Sequence, residues 1–98
     1  MNLGNALKTL REARGMTQIE LAKLMSQGGV YDASDVAYFE ERRGWCVKGL
    51  EEDFAAVLRV PVSVFMLFAA DDDELSVGAV LAAKIRQVAL NLLKEEDS

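Results

Sequence analysis

Hydrophobic residues recur at helical spacing along most of the chain, and turn-forming residues divide them into segments. A first helix is predicted over residues 2–13, with Asn2 or Asn5 as its cap and Gly15 just after its end. Its apolar positions follow the i, i+4, i+7 pattern of one buried face. These positions are Leu3, Leu7 and Leu10, with Ala6 alongside.

A second helix is predicted from Thr17 to about Ser26. Thr17 and Glu20 form a T-x-x-E capping box, in which the hydroxyl and the carboxylate each accept a hydrogen bond from a free backbone N–H. Gly28 and Gly29 oppose continuation, because glycine costs about 1 kcal/mol relative to alanine inside a helix. The residues expected to give this helix its buried face are Ile19, Leu21, Ala22, Leu24 and Met25.

A third, shorter helix is predicted over residues 34–42, with Ser34 or Asp32 as its cap. Val36 and Phe39 are expected to point inward. A fourth helix is predicted over residues 50–58, and Pro61 follows shortly after it, where helices commonly stop. Its apolar positions are Leu50, Phe54, Val57 and Leu58.

The segment over residues 60–70 has two interpretations from its residues alone. Val60, Val62 and Val64 alternate with other residues as in a strand, whereas the apolar run over residues 65–68 is continuous and long enough for helical turns. Apolar periodicity alone does not distinguish the strand from the helix.

A long final helix is predicted from about Glu74 to Lys94. The acidic run over residues 71–74 is interpreted as a linker and helix start, because no glycine-spaced ligand loop of a calcium site accompanies it. The broad apolar stripe of this helix packs either on its own globule or on the same helix of a second chain, and we favour the second chain. Its main members are Val77, Leu81, Ile85, Val88 and Leu92.

Residues 2–68 resemble the Cro/C1-type (XRE-like) family of helix-turn-helix DNA-binding domains. The segments that carry the resemblance are Leu-Arg-Glu-Ala-Arg-Gly-Met-Thr-Gln at 10–18, Glu-Leu-Ala at 20–22, Val-Ala-Tyr-Phe-Glu at 36–40 and Val-Leu-Arg-Val-Pro at 57–61. The resemblance implies an all-α, five-helix, lambda-repressor-like domain over residues 1–70, with a short fifth helix starting near Ser63. Residues 71–98 then form an acidic linker and a C-terminal dimerisation helix.

The function implied by the resemblance is sequence-specific binding of duplex DNA by a dimeric repressor at an inverted-repeat operator. In such motifs the second helix of the pair lies in the major groove while the first crosses the DNA backbone. Basic residues just beyond the groove helix contact phosphates and position the protein. The positions that match the DNA-contacting ones of the family are Thr17, Gln18, Ser34, Asp35, Ala37, Tyr38, Arg42, Arg43 and Lys48.

Two departures from the family affect this expectation. Many relatives place glutamine at the start of the recognition helix, where this chain has Ser34 and Asp35, so their sequence preference cannot be transferred. Asp35 accepts from cytosine N4 in one interpretation and caps the helix in the other. The connection over residues 26–33 is also longer than the usual turn. It either brings Tyr31 towards DNA or a partner, or is a tolerated surface insertion.

The resemblance also implies residue roles outside the DNA surface. Arg11 and Glu40 match a pair that joins the first and third helices, and a bidentate guanidinium–carboxylate bond would fix the angle between them. The apolar stripe of the final helix, and not the resemblance, predicts the dimerisation surface, with Leu67 of the preceding apolar run also near it. Its expected members are Phe65, Phe68, Val77, Leu81, Ile85, Val88 and Leu92.

The charge of the chain is unfavourable for a DNA-binding protein but is unevenly distributed. The formal net charge is −5, whereas residues 1–48 contain seven basic and six acidic residues. A DNA-binding surface is therefore expected in the first half, with modest affinity. The acid-rich second half favours an alternative: a protein-interaction module of the same fold, such as an antitoxin or phage-type regulator that masks a toxin or another partner protein.

The composition gives no indication of catalysis, a cofactor or a metal. The chain contains no histidine, the usual acid–base group near neutral pH, and Cys46 is its single cysteine. No cysteine pair is available for zinc, and no glycine-rich phosphate loop follows a strand. We therefore expect a non-enzymatic protein. The absence of a basic–apolar leader and of a membrane-length apolar run favours a cytoplasmic location without membrane contact.

Overall fold

The computed structural model describes residues 1–25 and 31–96, and every regular element within these ranges is an α-helix. The predicted all-α fold class is confirmed. The helices are α1 (Leu3–Ala13), α2 (Gln18–Met25), α3 (Ala33–Glu40), α4 (Leu50–Val57), α5 (Val62–Ala69), α6 (Asp72–Leu75) and α7 (Ala79–Glu96).

Local capping residues determine where the first two helices begin. The Asn2 side chain accepts a hydrogen bond from the Asn5 N–H at 3.0 Å, so Asn2 is the cap of α1. Before α2, the Glu20 N–H donates to Thr17 Oγ1 at 3.1 Å and the Thr17 N–H donates to Glu20 Oε1 at 3.3 Å. The predicted capping box is present. Gly15 adopts a φ of +68° after α1, as a helix-terminating residue requires.

The third helix begins one residue earlier and ends two residues earlier than the sequence predicts. Asp32 is its cap, and Asp35 completes a capping box by accepting a hydrogen bond from the Asp32 N–H at 2.9 Å. Asp35 therefore fulfils the capping role that the sequence left open. The helix ends at Glu40 because the chain then turns towards the start of α1.

The ambiguous segment after Pro61 is helical. Phe65, Phe68 and Ala69 are buried at i, i+3 and i+4, which is the spacing of one helix face. Before it, α4 ends at Val57, and Arg59 has a φ of +60°, a left-handed conformation that separates the two helices.

The predicted final helix is interrupted, which corrects the prediction of one helix from Glu74. A short α6 ends at Leu75 and is followed by Ser76, which has a φ of +58°. Gly78 has a φ of +84° before α7 begins. Two left-handed residues this close together cannot belong to a right-handed helix. Val77 therefore lies in the turn and is not part of the α7 surface.

The buried face of α2 is narrower than predicted. Leu21 and Ala22 are buried against the rest of the helices, but Ile19 and Leu24 are more than half exposed, at 57% and 52%. Only the side of α2 that faces α3 and α4 is covered. Ser26 and the rest of the long connection up to residue 30 lie outside the described residues.

The N-terminus of α1 is the point where three segments of the chain meet. The Leu3 and Gly4 N–H groups donate to the carbonyl oxygens of Arg43 and Arg42, at 2.7 and 2.9 Å. The Asn2 N–H donates to the Ala69 carbonyl at the end of α5, at 2.6 Å. The free N–H groups that every helix has at its start are thereby satisfied by carbonyl groups just after α3 and at the end of α5.

Two arginines attach α7 to the rest of the fold. Arg14 has a side chain only 1% exposed, and it donates to the Leu58 carbonyl after α4 at 2.8 Å and to the Leu93 carbonyl of α7 at 3.2 Å. Arg86 of α7 donates to the Leu67 and Ala70 carbonyls at the end of α5. Guanidinium groups thus bind carbonyls at three helix ends, where positive charge is favoured.

Gly4 makes the junction of α1 and α3 possible, and we predict that Gly4→Ala destabilises the protein by at least about 2 kcal/mol. A Cβ there would lie 2.4 Å from the carbonyl oxygens of both Arg42 and Glu40. In an unobstructed helix the same change stabilises by up to about 1 kcal/mol. Urea unfolding measures the difference. Gly44→Ala is the control, because its Cβ would meet nothing within 4 Å. Equal stability of the two variants would contradict the predicted close approach.

Candidate nucleic-acid interface

Helix α3 is held at a defined angle to α1 by a nearly buried ion pair. Arg11 Nε donates to Glu40 Oε2 at 2.6 Å and Arg11 Nη2 donates to Glu40 Oε1 at 3.2 Å, which is the bidentate geometry expected from the resemblance. The two side chains are 11% and 5% exposed. Arg11 Nη1 also donates to the Met16 carbonyl at 2.7 Å, so the same side chain ties down the segment before α2.

Gln18 belongs to this network. Its Nε2 donates to Glu40 Oε1 at 3.1 Å, and its side chain is half-buried between α2 and α3. Thr17 is exposed beside it, with its hydroxyl oxygen accepting the capping hydrogen bond of α2. The two candidates therefore lie where α2 meets α3, and the Gln18 amide is oriented by Glu40.

The start of α3 presents two carboxylates. The exposed Ser34 hydroxyl donates to Asp32 Oδ1 at 2.6 Å, and the Asp35 N–H donates to the same oxygen at 3.0 Å. The Ser34 hydroxyl is the main cause that lowers the pKa of Asp32, followed by the Asp35 N–H. The Asp32 carboxyl group therefore remains ionised near neutral pH. This tip of α3 carries the acidic side chains of Asp32 and Asp35.

The outer face of α3 carries an aromatic and basic pair. Tyr38 is 52% exposed, and the Arg42 guanidinium carbon lies 4.1 Å from the centre of its ring. This stacking keeps both side chains on the same surface and contributes about 0.5–1 kcal/mol at an exposed site. Ala37 is half-buried one residue earlier, next to the Arg11–Glu40 pair. Val36, as predicted, faces the core.

Arg43 and Lys48 follow α3 and are both exposed. The Arg43 guanidinium is close to a carboxylate of the acidic run: its Nη2 lies 3.4 Å from Asp71 Oδ1. The sequence indicated nothing about this pairing, because 28 residues separate its members. Lys48 lies in the turn before α4 and forms no ion pair within the part of the chain described here.

Two of the predicted dimerisation residues are in the wrong place for that role. Phe65 and Phe68 are only 0% and 5% exposed, because they are the inward face of α5 and pack in the core of their own chain. This corrects the prediction for both residues. The remaining members are exposed: Val77 in the turn before α7, and Leu81, Ile85, Val88 and Leu92 on α7 itself.

Four exposed apolar residues of α7 form what we call the outer stripe: Leu81, Ile85, Val88 and Leu92. They are spaced by four, three and four residues, which is the a/d spacing of a coiled coil. A different face of α7 contacts the globule, and Ala82 and Leu93 are its buried residues. The predicted packing of α7 on its own globule therefore applies to the face with Ala82 and Leu93. Pairing of the outer stripe with a second chain stays a prediction.

Aromatic residues support α3 from behind. Trp45 Nε1 donates to the Phe39 carbonyl at 2.9 Å, and its ring lies 5.4 Å from that of Phe54 and 6.0 Å from that of Phe65. Tyr31 packs edge-on against Phe39 at 6.3 Å and is half-buried. Trp45 and Tyr31 therefore lie at the margin of the core.

Comparisons of the chain with profiles of known protein families, with curated proteins and with solved structures found no match. No helix among the described residues combines the length and the apolar character that crossing a membrane requires. Over residues 1–25 and 31–96, no group of His, Cys, Asp or Glu side chains is arranged so that it could hold a metal ion.

The Arg11–Glu40 pair leads to a stability prediction. We expect Arg11→Met to destabilise the protein by about 3 kcal/mol, because the change leaves the Glu40 carboxylate nearly buried without its partner. The double variant Arg11→Met/Glu40→Leu should be more stable than Arg11→Met alone, since no unpaired charge remains. Denaturant unfolding of the single and double variants measures this coupling. Lys23→Met, at an exposed position of α2, is the control. If the changes in unfolding free energy caused by Arg11→Met and Glu40→Leu simply add in the double variant, the prediction is wrong.

Proposed function

We propose that this chain is a sequence-specific double-stranded-DNA-binding regulator that acts as a dimeric repressor. Helices α2 and α3 would form its helix-turn-helix motif, within a five-helix lambda-repressor-like domain made of α1 to α5. In this proposal α3 enters the major groove and α2 crosses the DNA backbone.

The observation that carries the proposal is the arrangement of α3. Its inner side is fixed to α1 by the Arg11–Glu40 pair, while its outer side carries the exposed Tyr38–Arg42 stack. Exposed Arg43 and Lys48 follow directly. A rigid helix with an exposed polar and aromatic face, flanked by cations, fits the division between base reading and phosphate positioning that DNA-binding helices require.

Dimerisation is assigned in the proposal to the outer stripe of α7. Paired half-sites lie about 34 Å apart on one side of a duplex, so two copies of α3 are needed to read an inverted repeat. Large apolar side chains at coiled-coil spacing on one exposed helix favour pairing with the same helix of another copy. The arginine contacts of α7 would hold it in place during this pairing.

The alternative function, a protein-interaction module such as an antitoxin or phage-type regulator, is favoured by one observation. The tip of α3 carries the carboxylates of Asp32 and Asp35, which would repel phosphates. An acidic tip next to an exposed aromatic residue suits a basic partner protein. The two functions are compatible in one chain.

Selection from a random-site duplex library at two salt concentrations tests the DNA-binding proposal. We expect enrichment of an inverted repeat with half-sites one helical turn apart, and affinity that falls as salt rises. A library that remains unenriched at low salt would reject DNA reading and leave the partner-protein function as the better proposal.

Two substitutions separate base reading from phosphate contact on the enriched site. Tyr38→Ala should change which bases are preferred at individual positions, whereas Arg43→Ala should weaken binding to all sequences and reduce the salt slope by about one unit. Lys84→Ala on α7 removes the same charge outside the candidate interface and should leave the slope unchanged. A uniform loss with Tyr38→Ala would contradict its role in reading bases.

The role of the outer stripe is tested by Val88→Lys. A lysine in each copy would bury charge in the paired stripe, and we expect the dimer dissociation constant to rise at least about tenfold, equivalent to about 1.4 kcal/mol. Sedimentation velocity over a concentration series measures it. Gln87→Lys is the matched control, since residue 87 is exposed but outside the stripe. If both lysine variants dimerise like the parent, α7 does not pair the subunits.

A further inference from the structure

Arg43 and Asp71 are brought together by the backbone junction at the start of α1. The Leu3 N–H holds the Arg43 carbonyl, and the Asn2 N–H holds the Ala69 carbonyl two residues before Asp71. Neighbouring N–H groups at the start of α1 therefore hold both the segment with Arg43 and the segment that leads to Asp71. The side chains are 66% and 51% exposed, so a phosphate has access to the guanidinium.

The Asp71 carboxylate is held in position. Asp71 begins α6 in a capping box, where its N–H donates to Glu74 Oε1 at 3.1 Å. Its Oδ2 accepts a hydrogen bond from the Met1 amino group at 2.6 Å, which leaves Oδ1 directed at Arg43. A fixed carboxylate oxygen presents to a guanidinium the same acceptor that a phosphate oxygen would.

Arg42 and Lys48, the other two basic candidates, differ from Arg43 in their neighbours. Arg42 lies over the Tyr38 ring, and neither Arg42 nor Lys48 forms an ion pair with a carboxylate within the described ranges. Arg43 alone among these three cations therefore has an acidic partner there that DNA would have to replace.

We infer that Asp71 is an internal competitor for phosphate at Arg43 and lowers the affinity of this surface for DNA. This inference rests on the proposed function, because it requires Arg43 to contact the DNA backbone. Binding would exchange the carboxylate of Asp71 for a phosphate oxygen at Arg43 Nη2. Asp71, at the start of α6, would thus determine how strongly Arg43, just after α3, binds a phosphate.

The test uses the full chain and an arbitrary mixed-sequence duplex, because a phosphate contact does not depend on sequence. Asp71→Asn retains a residue that caps helices well but removes the charge. We expect it to bind the duplex about two- to fivefold more tightly at low salt, the range for an exposed ion pair. Asp73→Asn is the matched control: it removes the same charge from the same acidic run, and Asp73 forms no ion pair within the described residues.

A smaller gain in duplex affinity with Asp73→Asn than with Asp71→Asn supports the inference, because the same change in net charge is made in both variants. In an Arg43→Ala background, Asp71→Asn should then give only the gain of the control. Equal gains from both variants, or a gain with Asp71→Asn that persists without Arg43, would overturn the competition while leaving DNA binding intact. Absence of binding to the mixed-sequence duplex by every variant at low salt would overturn this inference, and the random-site selection then decides separately whether the proposed function fails. Circular dichroism confirms that each variant is folded.

Discussion

The structure depends on hydrogen bonds between the first N–H groups of α1 and carbonyls that arrive from two later segments. Those N–H groups have no partner within their own helix, and leaving them unsatisfied next to buried side chains would be costly. The carbonyls of Arg42, Arg43 and Ala69 satisfy them. Gly4 permits this approach because a side chain there would collide with the backbone after α3. One helix start thereby fixes the positions of α3 and of the end of α5.

This junction also contributes to the difference between the two sides of α3. The inner side is fixed to the rest of the fold, whereas the outer side carries both basic and acidic groups. The inner side of α3 is attached by backbone bonds, by the Arg11–Glu40 pair and by the aromatic cluster around Phe39. Its outer side combines the Tyr38–Arg42 stack with acidic groups at its tip. The proposed reader of DNA would therefore have a preorganised surface with a weak field, which favours selectivity over non-specific affinity.

Helix α7 uses polar contacts to attach to its own chain and leaves much of its apolar surface outside. Arg14 and Arg86 bind carbonyls at the ends of α4, α5 and α7, and the apolar contact to the globule includes Ala82 and Leu93. The outer stripe is therefore available without any change in the fold. That separation of faces is what makes a second copy the partner we propose.

The sequence by itself determined α1 to α4 and most of their starts, because capping and apolar periodicity act over a few residues. Thr17 with Glu20 and Asn2 with Asn5 are examples, and the Arg11–Glu40 pair was expected from the family resemblance alone. The sequence left α5 open between strand and helix and missed the break between α6 and α7. Only the tertiary structure decided which apolar residues are covered. Phe65 and Ile19 have similar hydrophobicity, yet one is buried and the other exposed, because burial depends on neighbours far away in the chain. The same reason applies to two long-range contacts: Arg14 with the Leu58 carbonyl, 44 residues away, and Asp71 with Arg43, 28 residues away. Local spacing contains no information about either.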